Sequence, residues 1–477
     1  MMNNTETEKE IIIEVEKKTK TFFVETYGCQ MNVSDSEIVT ALLREDGYQS
    51  AVSSEEADIV LINTCAIREN AEERVRTRIR DFKSVKKHNP GMIIGVLGCM
   101  AERLKTKLLE EEHLVDLVVG PDAYRSLPEL ITKIEGGEKA VNVLLSLEET
   151  YSNINPVRLA GNGITAFITI MRGCDNMCSF CVVPFTRGRE RSRDPESIVN
   201  EAKLLFEQGY REVTLLGQNV DSYKWFGGGP KKDFEKIASG NKDLKTVNFA
   251  NLLEMVALVN PLLRVRFSTS NPQDMTDEVL HTIAKYHNIC KYVHLPMQSG
   301  SSRVLEMMNR GYNREKYLER IQAIRTIIPG CGLSTDVIAG FCSETDEEHK
   351  ETVSLMEYVK FDYAYMFPYS ERPATPAAKK YKDDVPEEVK LKRMQEILAM
   401  QRGHSMIGNK ADIGKTFEVL VEGHSKRSKE QVFGRNTQNK AIIFASEMHK
   451  PGDYVHVRVT SCTSGTLIGE LADAPNA

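Results

Sequence analysis

The sequence predicts an α/β protein of three units: an amino-terminal open parallel α/β domain, a central partial (β/α)6 barrel and a small antiparallel β-barrel at the carboxyl end. Three observations carry this. Over 21–137, short apolar runs alternate with longer amphipathic stretches, the pattern of parallel strands joined by crossover helices. Over 160–392 the alternation returns with six strand candidates, too few to close as an eight-stranded barrel does. Over 411–475 the apolar runs become short, alternating and separated by turn residues.

The bulk numbers agree with several units. A chain of 477 residues exceeds what one hydrophobic core organises, and 41% hydrophobic with 27% charged residues is an ordinary globular composition. A formal net charge of −6 argues against a protein that coats nucleic acid with its whole surface, so any such contact is local. Residues 1–20 read as a disordered tail. MMNNTETEKE lacks the basic patch and apolar run of a secretory signal, and no run of about eighteen apolar residues follows. The expectation is a cytoplasmic chain with no membrane association, in which grouped cysteines bind metal or do redox chemistry.

In the first unit the order is TFFVETYGC, a helical stretch over Ser34 to Glu45, DIVLINTC, a second helix over Ala66 to His88, MIIGVLGC, a short helix and DLVVG. Cys29, Cys65 and Cys99 each fall at or just past the carboxyl end of a strand. In an open parallel sheet those ends share one edge, where ligand sites form. Three buried structural cysteines are the plain alternative; a metal site built from residues far apart in sequence is the reading preferred here. The second unit has strands at AFITIM, VTLLG, RVRFST, KYVHLP, LSTDVIAG and YAYMF. Asp221 to Asn248, with KWFGGGPKK, reads as a flexible insertion, and no Gly-Lys-Ser/Thr follows its glycines to make a phosphate loop. A charged amphipathic helix over Glu387 to Gly403 leads to the third unit, with strands at TFEVLVEG, EQVFGR, KAIIFAS, DYVHVRVT and TLIGEL.

The densest chemical signal is MRGCDNMCSFC, where Cys174, Cys178 and Cys181 form C-x3-C-x2-C just after the first barrel strand. Soft thiolates this close suit iron–sulfur clusters or zinc. Structural zinc normally completes four ligands, and this loop supplies three with no fourth near it in sequence. A 4Fe–4S cluster held by three cysteines, with one iron open, fits better.

That loop, with Phe180 directly before its last cysteine and six β/α units around it, resembles the radical S-adenosylmethionine enzymes. The resemblance implies that the open iron binds S-adenosylmethionine and that reductive cleavage gives a 5′-deoxyadenosyl radical. Such a radical takes a hydrogen atom from a C–H bond too weakly acidic for any enzyme base. With the second triplet and the terminal barrel, about Thr21 to Leu471 resembles the radical methylthiotransferases, which carry an amino-terminal three-cysteine domain and a terminal TRAM domain. YGCQMN (27–32), NTCAIRE (63–69), LGQN (216–219), HLPMQSG (294–300) and FGR (433–435) are similar to the MiaB-type branch. GFCSET (340–345) departs from the usual GFPGET, through Cys342 and Ser343.

The resemblance implies two 4Fe–4S clusters, a radical cluster on Cys174, Cys178 and Cys181 and an auxiliary cluster on Cys29, Cys65 and Cys99. It implies two S-adenosylmethionine molecules: one methylates a sulfur at the auxiliary cluster, and the other supplies the radical that opens C2 of N6-isopentenyladenosine beside the tRNA anticodon. Phe180, Gln218 and Gln298 are the candidate S-adenosylmethionine contacts, the glutamines equally readable as satisfied loop residues. Further implied partners are a reductant such as flavodoxin or ferredoxin and an iron–sulfur or sulfur supply system, with the chain working as a monomer. The alternatives are the same chemistry on threonylcarbamoyladenosine tRNA or ribosomal protein S12, and a non-catalytic iron–sulfur RNA-binding module.

For RNA, alternating Arg187, Arg189, Arg191 and Arg193 read as a phosphate-binding stripe. Lys426, Arg427, Lys429, Arg435 and Lys440 read as a basic docking surface on the terminal barrel. Arg74, Arg76, Arg78, Arg80, Lys83, Lys86 and Lys87 crowd one helix whose Val75, Ile79 and Phe82 recur at helical spacing, so that stretch reads as a solvated helix face. Cys290, Cys331 and Cys462 read as structural.

Overall fold

The runs IVLINT and IIGVLG carry too little polarity to face water on either side, and both become central strands. In the computed structural model, which describes residues 19–65, 69–159, 161–240, 243–425, 428 and 430–474, every residue of Ile59–Thr64 and Ile93–Gly98 is buried. The expected tail over 1–20 lies outside the described residues up to residue 18. The six-stranded sheet is parallel throughout, in the order Gln49–Ser50, Thr21–Tyr27, Ile59–Thr64, Ile93–Gly98, Leu117–Val119, Ala140–Asn142. Period-two alternation splits its side chains: Ile59 and Leu61 pack with Ile38, Val39 and Leu43 of helix Gln30–Glu45, while Val60 and Ile62 pack with Val75, Ile79 and Phe82 of helix Glu69–His88. The register positions the site. Tyr27 pairs with Thr64 and Thr64 with Gly98, so three strands end level and the cysteines follow at once.

The central unit has six parallel strands in chain order. Thr165–Thr169, Glu212–Leu216 and Arg264–Ser268 form one sheet, Tyr292–His294, Gly332–Ala339 and Tyr363–Pro368 the other, and a parallel bridge from Val265 to Ile289 joins them. The region expected to be a flexible insertion carries structure instead. Lys224–Trp225 pairs antiparallel with Val247–Asn248, and the rings of Phe226 and Phe234 meet edge-on at 5.4 Å, so aromatic burial orders ends that the glycine run hides from a composition-based reading. The helix expected to end at Gly403 continues to Lys410. Its Gln401 and Ser405 donate to the carbonyls of Phe361 and Asp362, and Asn409 donates to that of Thr463, so polar groups of the last three turns tie the central unit to the third.

The third unit is a closed barrel in the order Thr416–His424, Gln431–Arg435, Ala441–Ala445, Leu467–Leu471, Tyr454–Cys462. Four of its five seams are antiparallel, as expected of a small antiparallel barrel, and the fifth, Ile442–Phe444 with Leu467–Gly469, is parallel. A ring with an odd number of strands cannot alternate direction all the way round. The barrel's 436–439 turn seals the amino-terminal end of the central strands: Arg266 donates to the carbonyl of Asn436 at 2.7 Å, and Arg264 to that of Arg435 at 2.7 Å. Among the described residues, no helix is long and apolar enough to cross a membrane.

Candidate functional site

The C-x3-C-x2-C loop begins where Met171–Arg172 pairs with Arg191–Ser192, a short antiparallel ladder that makes the intervening chain a closed loop. Backbone and side-chain bonds then hold it in place. Cys174 N–H donates to Gly188 O at 3.2 Å, Ser179 Oγ donates to Met307 O at 2.8 Å, and Asn309 Nδ2 donates to Met177 O at 3.0 Å. The sulfurs have their own donors: Val183 N–H points at Cys181 Sγ from 3.4 Å, and Arg310 Nη1 at Cys178 Sγ from 3.1 Å. Arg310 is buried, and its Nε donates to Tyr312 Oη at 3.1 Å. Tyr312 in turn donates to Pro296 O at 2.9 Å, so the guanidinium is locked. Phe180 is half-buried, edge-on to Phe341 at 6.5 Å.

On the amino-terminal sheet edge two glycines permit the close approach. Gly28 has φ +135° and a Cβ there would stand 2.7 Å from Cys65 Cβ; Gly98 has φ +86° and its Cβ would stand 2.5 Å from Asn63 Oδ1 and 2.8 Å from Thr64 O. An asparagine pair fills the space this leaves. Asn32 Nδ2 donates to Asn63 Oδ1 at 3.1 Å, Asn63 Nδ2 donates back to Asn32 O at 2.9 Å, and Cys29 Sγ lies 3.2 Å from Asn32 Oδ1. The third cysteine meets a residue of the other unit: Arg187 Nε donates to Cys99 Sγ at 3.2 Å.

Both cysteine sets therefore open on one cavity of about 650 Å³. Cys29, Cys65 and Cys99 line it from one unit and Cys178 and Cys181 from another, while Cys174, on the same loop, stands off the wall. Phe180, Gln218 and Gln298 line it too, and Gln218 Oε1 is buried there with no donor among the described residues, an acceptor available to a polar ligand. Burial pushes the Cys174 and Cys181 thiols up to about 12 and raises Cys99. Cys29 falls to about 6, through its hydrogen bond with Cys65 and the charge of Arg187. Thiols that burial holds protonated become thiolates against a metal's positive charge, so the donor set fits a cation bound through sulfur. Among the described residues no three His, Cys, Asp or Glu side chains converge closely enough for a single metal ion. In a cubane each thiolate takes its own iron, so three ligands need not meet at one ion.

The arginine stripe is corrected by its burial. Arg187, Arg191 and Arg193 are buried and spent on internal partners: Arg187 pairs with Asp35 at 2.7 Å, Arg191 with Asp122 at 2.5 Å and Arg193 with Glu201 at 2.5 Å. Arg191 and Arg193 have no exposed face to offer a phosphate, and Arg187, whose Nε and Nη2 are taken by Cys99 and Asp35, lines the inner cavity rather than an outer surface. Arg189 keeps a partly exposed side chain and pairs with Asp175 at 2.9 Å. Lys426, Arg427 and Lys429 lie outside the described residues. Arg435 is bound to Glu212 and Glu422 and faces the cavity rather than an outer surface, and Lys440 is buried against Asp362 and Asp412. On helix Glu69–His88, Arg76, Arg78, Arg80 and Lys86 pair with carboxylates beside a buried Val75, Ile79 and Phe82. Cys290 and Cys342 are buried, Cys342 in an apolar cluster with Phe341 and Tyr369, while Cys331 and Cys462 are partly buried. Sequence reasoning missed Arg310 and Asp35. Asp35 in YGCQMNVSD stands six residues past Cys29, and an acidic residue so near a ligand was the one available signal.

The amino-terminal unit matches the uncharacterized protein family UPF0004 over residues 21–120, the central unit the radical SAM superfamily over 168–356 and the last unit the TRAM domain over 410–472. A tRNA-2-methylthio-N(6)-dimethylallyladenosine synthase of Amoebophilus asiaticus (strain 5a2) is 60% identical over 454 residues, covering 95% of this chain and 93% of the relative. One from Christiangramia forsetii is 57% identical over 454 residues, covering 95% and 94%. Among solved structures, the radical S-adenosylmethionine methyltransferase TsrM from Kitasatospora setae, with cobalamin and a [4Fe-4S] cluster bound, shares the fold at a TM-score of 0.54 and 14% identity, over 76% of this chain and 74% of that one. With its two cysteine edges on one cavity and relatives this similar along nearly its whole length, the chain belongs to the family of tRNA-2-methylthio-N(6)-dimethylallyladenosine synthases.

Proposed function

We propose that this chain adds a methylthio group to C2 of N6-isopentenyladenosine beside the anticodon of tRNA, with two 4Fe–4S clusters and S-adenosylmethionine as cofactors. The observation that carries it is the shared cavity: a sulfur-holding edge and a radical loop from separate units face one volume, so a group built at one can reach a carbon opened by the other. When bound, the clusters and S-adenosylmethionine supply the sulfur, the methyl group and the electron for radical chemistry. The chain's residues hold and orient. Cys174, Cys178 and Cys181 would hold one cluster and Cys29, Cys65 and Cys99 the other. Gln218, with its available acceptor, and Phe180 and Gln298 on the same wall are placed to orient S-adenosylmethionine.

Three units over 21–137, 160–392 and 411–475 divide the work, the last of them meeting tRNA. Arg435 reaches the cavity from that last unit, so the RNA-docking module and the reaction volume are continuous. In this reading the protein works in the cytoplasm as a monomer, with a flavodoxin- or ferredoxin-like reductant and an iron–sulfur supply system restoring the auxiliary sulfur. Nucleoside mass spectrometry of tRNA from a deletion strain tests it. The 2-methylthio-isopentenyladenosine signal should vanish with isopentenyladenosine rising in its place; unchanged 2-methylthio-isopentenyladenosine, or loss of the threonylcarbamoyl derivative instead, sinks the assignment.

A further inference from the structure

Each cysteine set has one buried guanidinium aimed at one sulfur: Arg187 Nε at Cys99 Sγ, 3.2 Å, and Arg310 Nη1 at Cys178 Sγ, 3.1 Å. Neither arginine belongs to the C-x3-C-x2-C pattern or to a strand end. We infer that Arg187 and Arg310 are positioning residues that act through the cysteine sulfurs, each setting the reduction potential of the cluster its triplet holds. The inference rests on the reading that each triplet holds a 4Fe–4S cluster.

The charge balance supports it. Among the described residues no carboxylate pairs with Arg310; its partners are Tyr312 Oη and Cys178 Sγ. A buried cation without a carboxylate is costly unless other negative charge stands beside it, and three thiolates on a cluster provide that charge. Around Arg187 the balance is indirect. Asp35 Oδ2 accepts from Arg187 and its Oδ1 from Arg172, while Asp122 takes Arg191. Three buried arginines stand against two buried aspartates, which leaves one positive charge over. Each triplet thus faces about one unit of unmatched positive charge and one N–H directed at a sulfur. Both features favour the reduced, more negative cluster and raise its potential, because hydrogen bonds to sulfur and nearby charge are the protein's main controls on such clusters. The orientation is rigid in both cases: Tyr312 anchors one guanidinium and Asp35 the other.

The test uses full-length protein reconstituted anaerobically, with iron and sulfide counted first. Each cluster is then titrated by electron paramagnetic resonance in a background where the other triplet is changed to alanine. Arg310→Gln should lower the potential of the cluster on Cys174, Cys178 and Cys181 and leave the other unmoved; Arg187→Gln should lower only the cluster on Cys29, Cys65 and Cys99. Asp35→Asn removes a negative charge and should shift that second cluster the opposite way, upward. A residue that only braced the fold would produce no such pair of opposite signs. Where Arg310→Gln loses iron, Tyr312→Phe frees the guanidinium from its anchor and should lower the same potential by a smaller step. Full iron with unmoved potentials, or shifts of the same sign for Arg187→Gln and Asp35→Asn, overturns the inference. Absence of iron from the parent protein would instead overturn the cluster reading beneath it.

Discussion

Replacing Gly98 by alanine perturbs the cysteine edge at its tightest point. Gly98 has φ +86° and ψ −152°, a region open almost only to glycine, and forcing an L-residue there costs about 1–3 kcal/mol. The new methyl would also stand 2.5 Å from Asn63 Oδ1 and 2.8 Å from Thr64 O. The second contact is backbone, and Asn63 cannot swing aside without breaking its bonds to Asn32 and Ser36, so overpacking adds about 1–3 kcal/mol. The expected loss is about 2–6 kcal/mol, confined to the amino-terminal unit. Trp225, the only tryptophan, sits in the central unit and would not report it. Hydrogen exchange on peptides covering 59–64 and 93–98 would, because both central strands must open together. Gly47→Ala is the control: its φ is +92° but no atom lies within 4 Å of the added Cβ, so it should lose only about 1–2 kcal/mol of backbone strain. If Gly98→Ala costs less than about 1 kcal/mol, or no more than Gly47→Ala, the close packing claimed for this edge is wrong.

Three further outcomes are expected. Arg193→Ala leaves buried Glu201 with one of its two arginine partners and should destabilise the chain by about 3–5 kcal/mol in denaturant unfolding. The salt dependence of its tRNA affinity should be unchanged; a slope reduced by about 0.9 would revive the phosphate-contact reading. Burial pushes the Asp221 carboxyl up to about 7 against the N–H of Asn271, so the folded chain holds a proton there that the unfolded chain releases near ~3.9. Stability from this group should therefore fall as pH rises from about 4 to 7, by up to ~4 kcal/mol, and level off above; Asp221→Asn should flatten that segment, and parallel profiles would refute it. Changing Cys29, Cys65 and Cys99 together to alanine should take iron from about eight to about four per chain while reductive cleavage of S-adenosylmethionine persists; zinc in place of iron would contradict it.

Secondary structure and the cysteine sets were legible because both are local. Strand period, helix period and the spacing of thiols within a loop are written in neighbouring residues, and Cys29, Cys65 and Cys99 could be aligned because parallel strands end on a common edge. The Asp221 to Asn248 region misled because its glycine run dominates composition while Phe226 and Phe234 do the ordering. The parallel pair in the terminal barrel follows from strand number once closure is known, and closure is not a local property.

By itself the sequence determined which atoms could do chemistry here: six thiols in two sets, on strand ends and one loop, in a three-unit chain. Tertiary structure alone decided what surrounds them. The alternating arginines look like a phosphate stripe until Arg187 is seen to meet Asp35, 152 residues away, and Arg310 gains its role only when the fold sets it beside Cys178, 132 residues away. A charge is solvated, paired or left facing a sulfur according to which distant groups pack against it, and burial of that kind is a property of the assembled molecule.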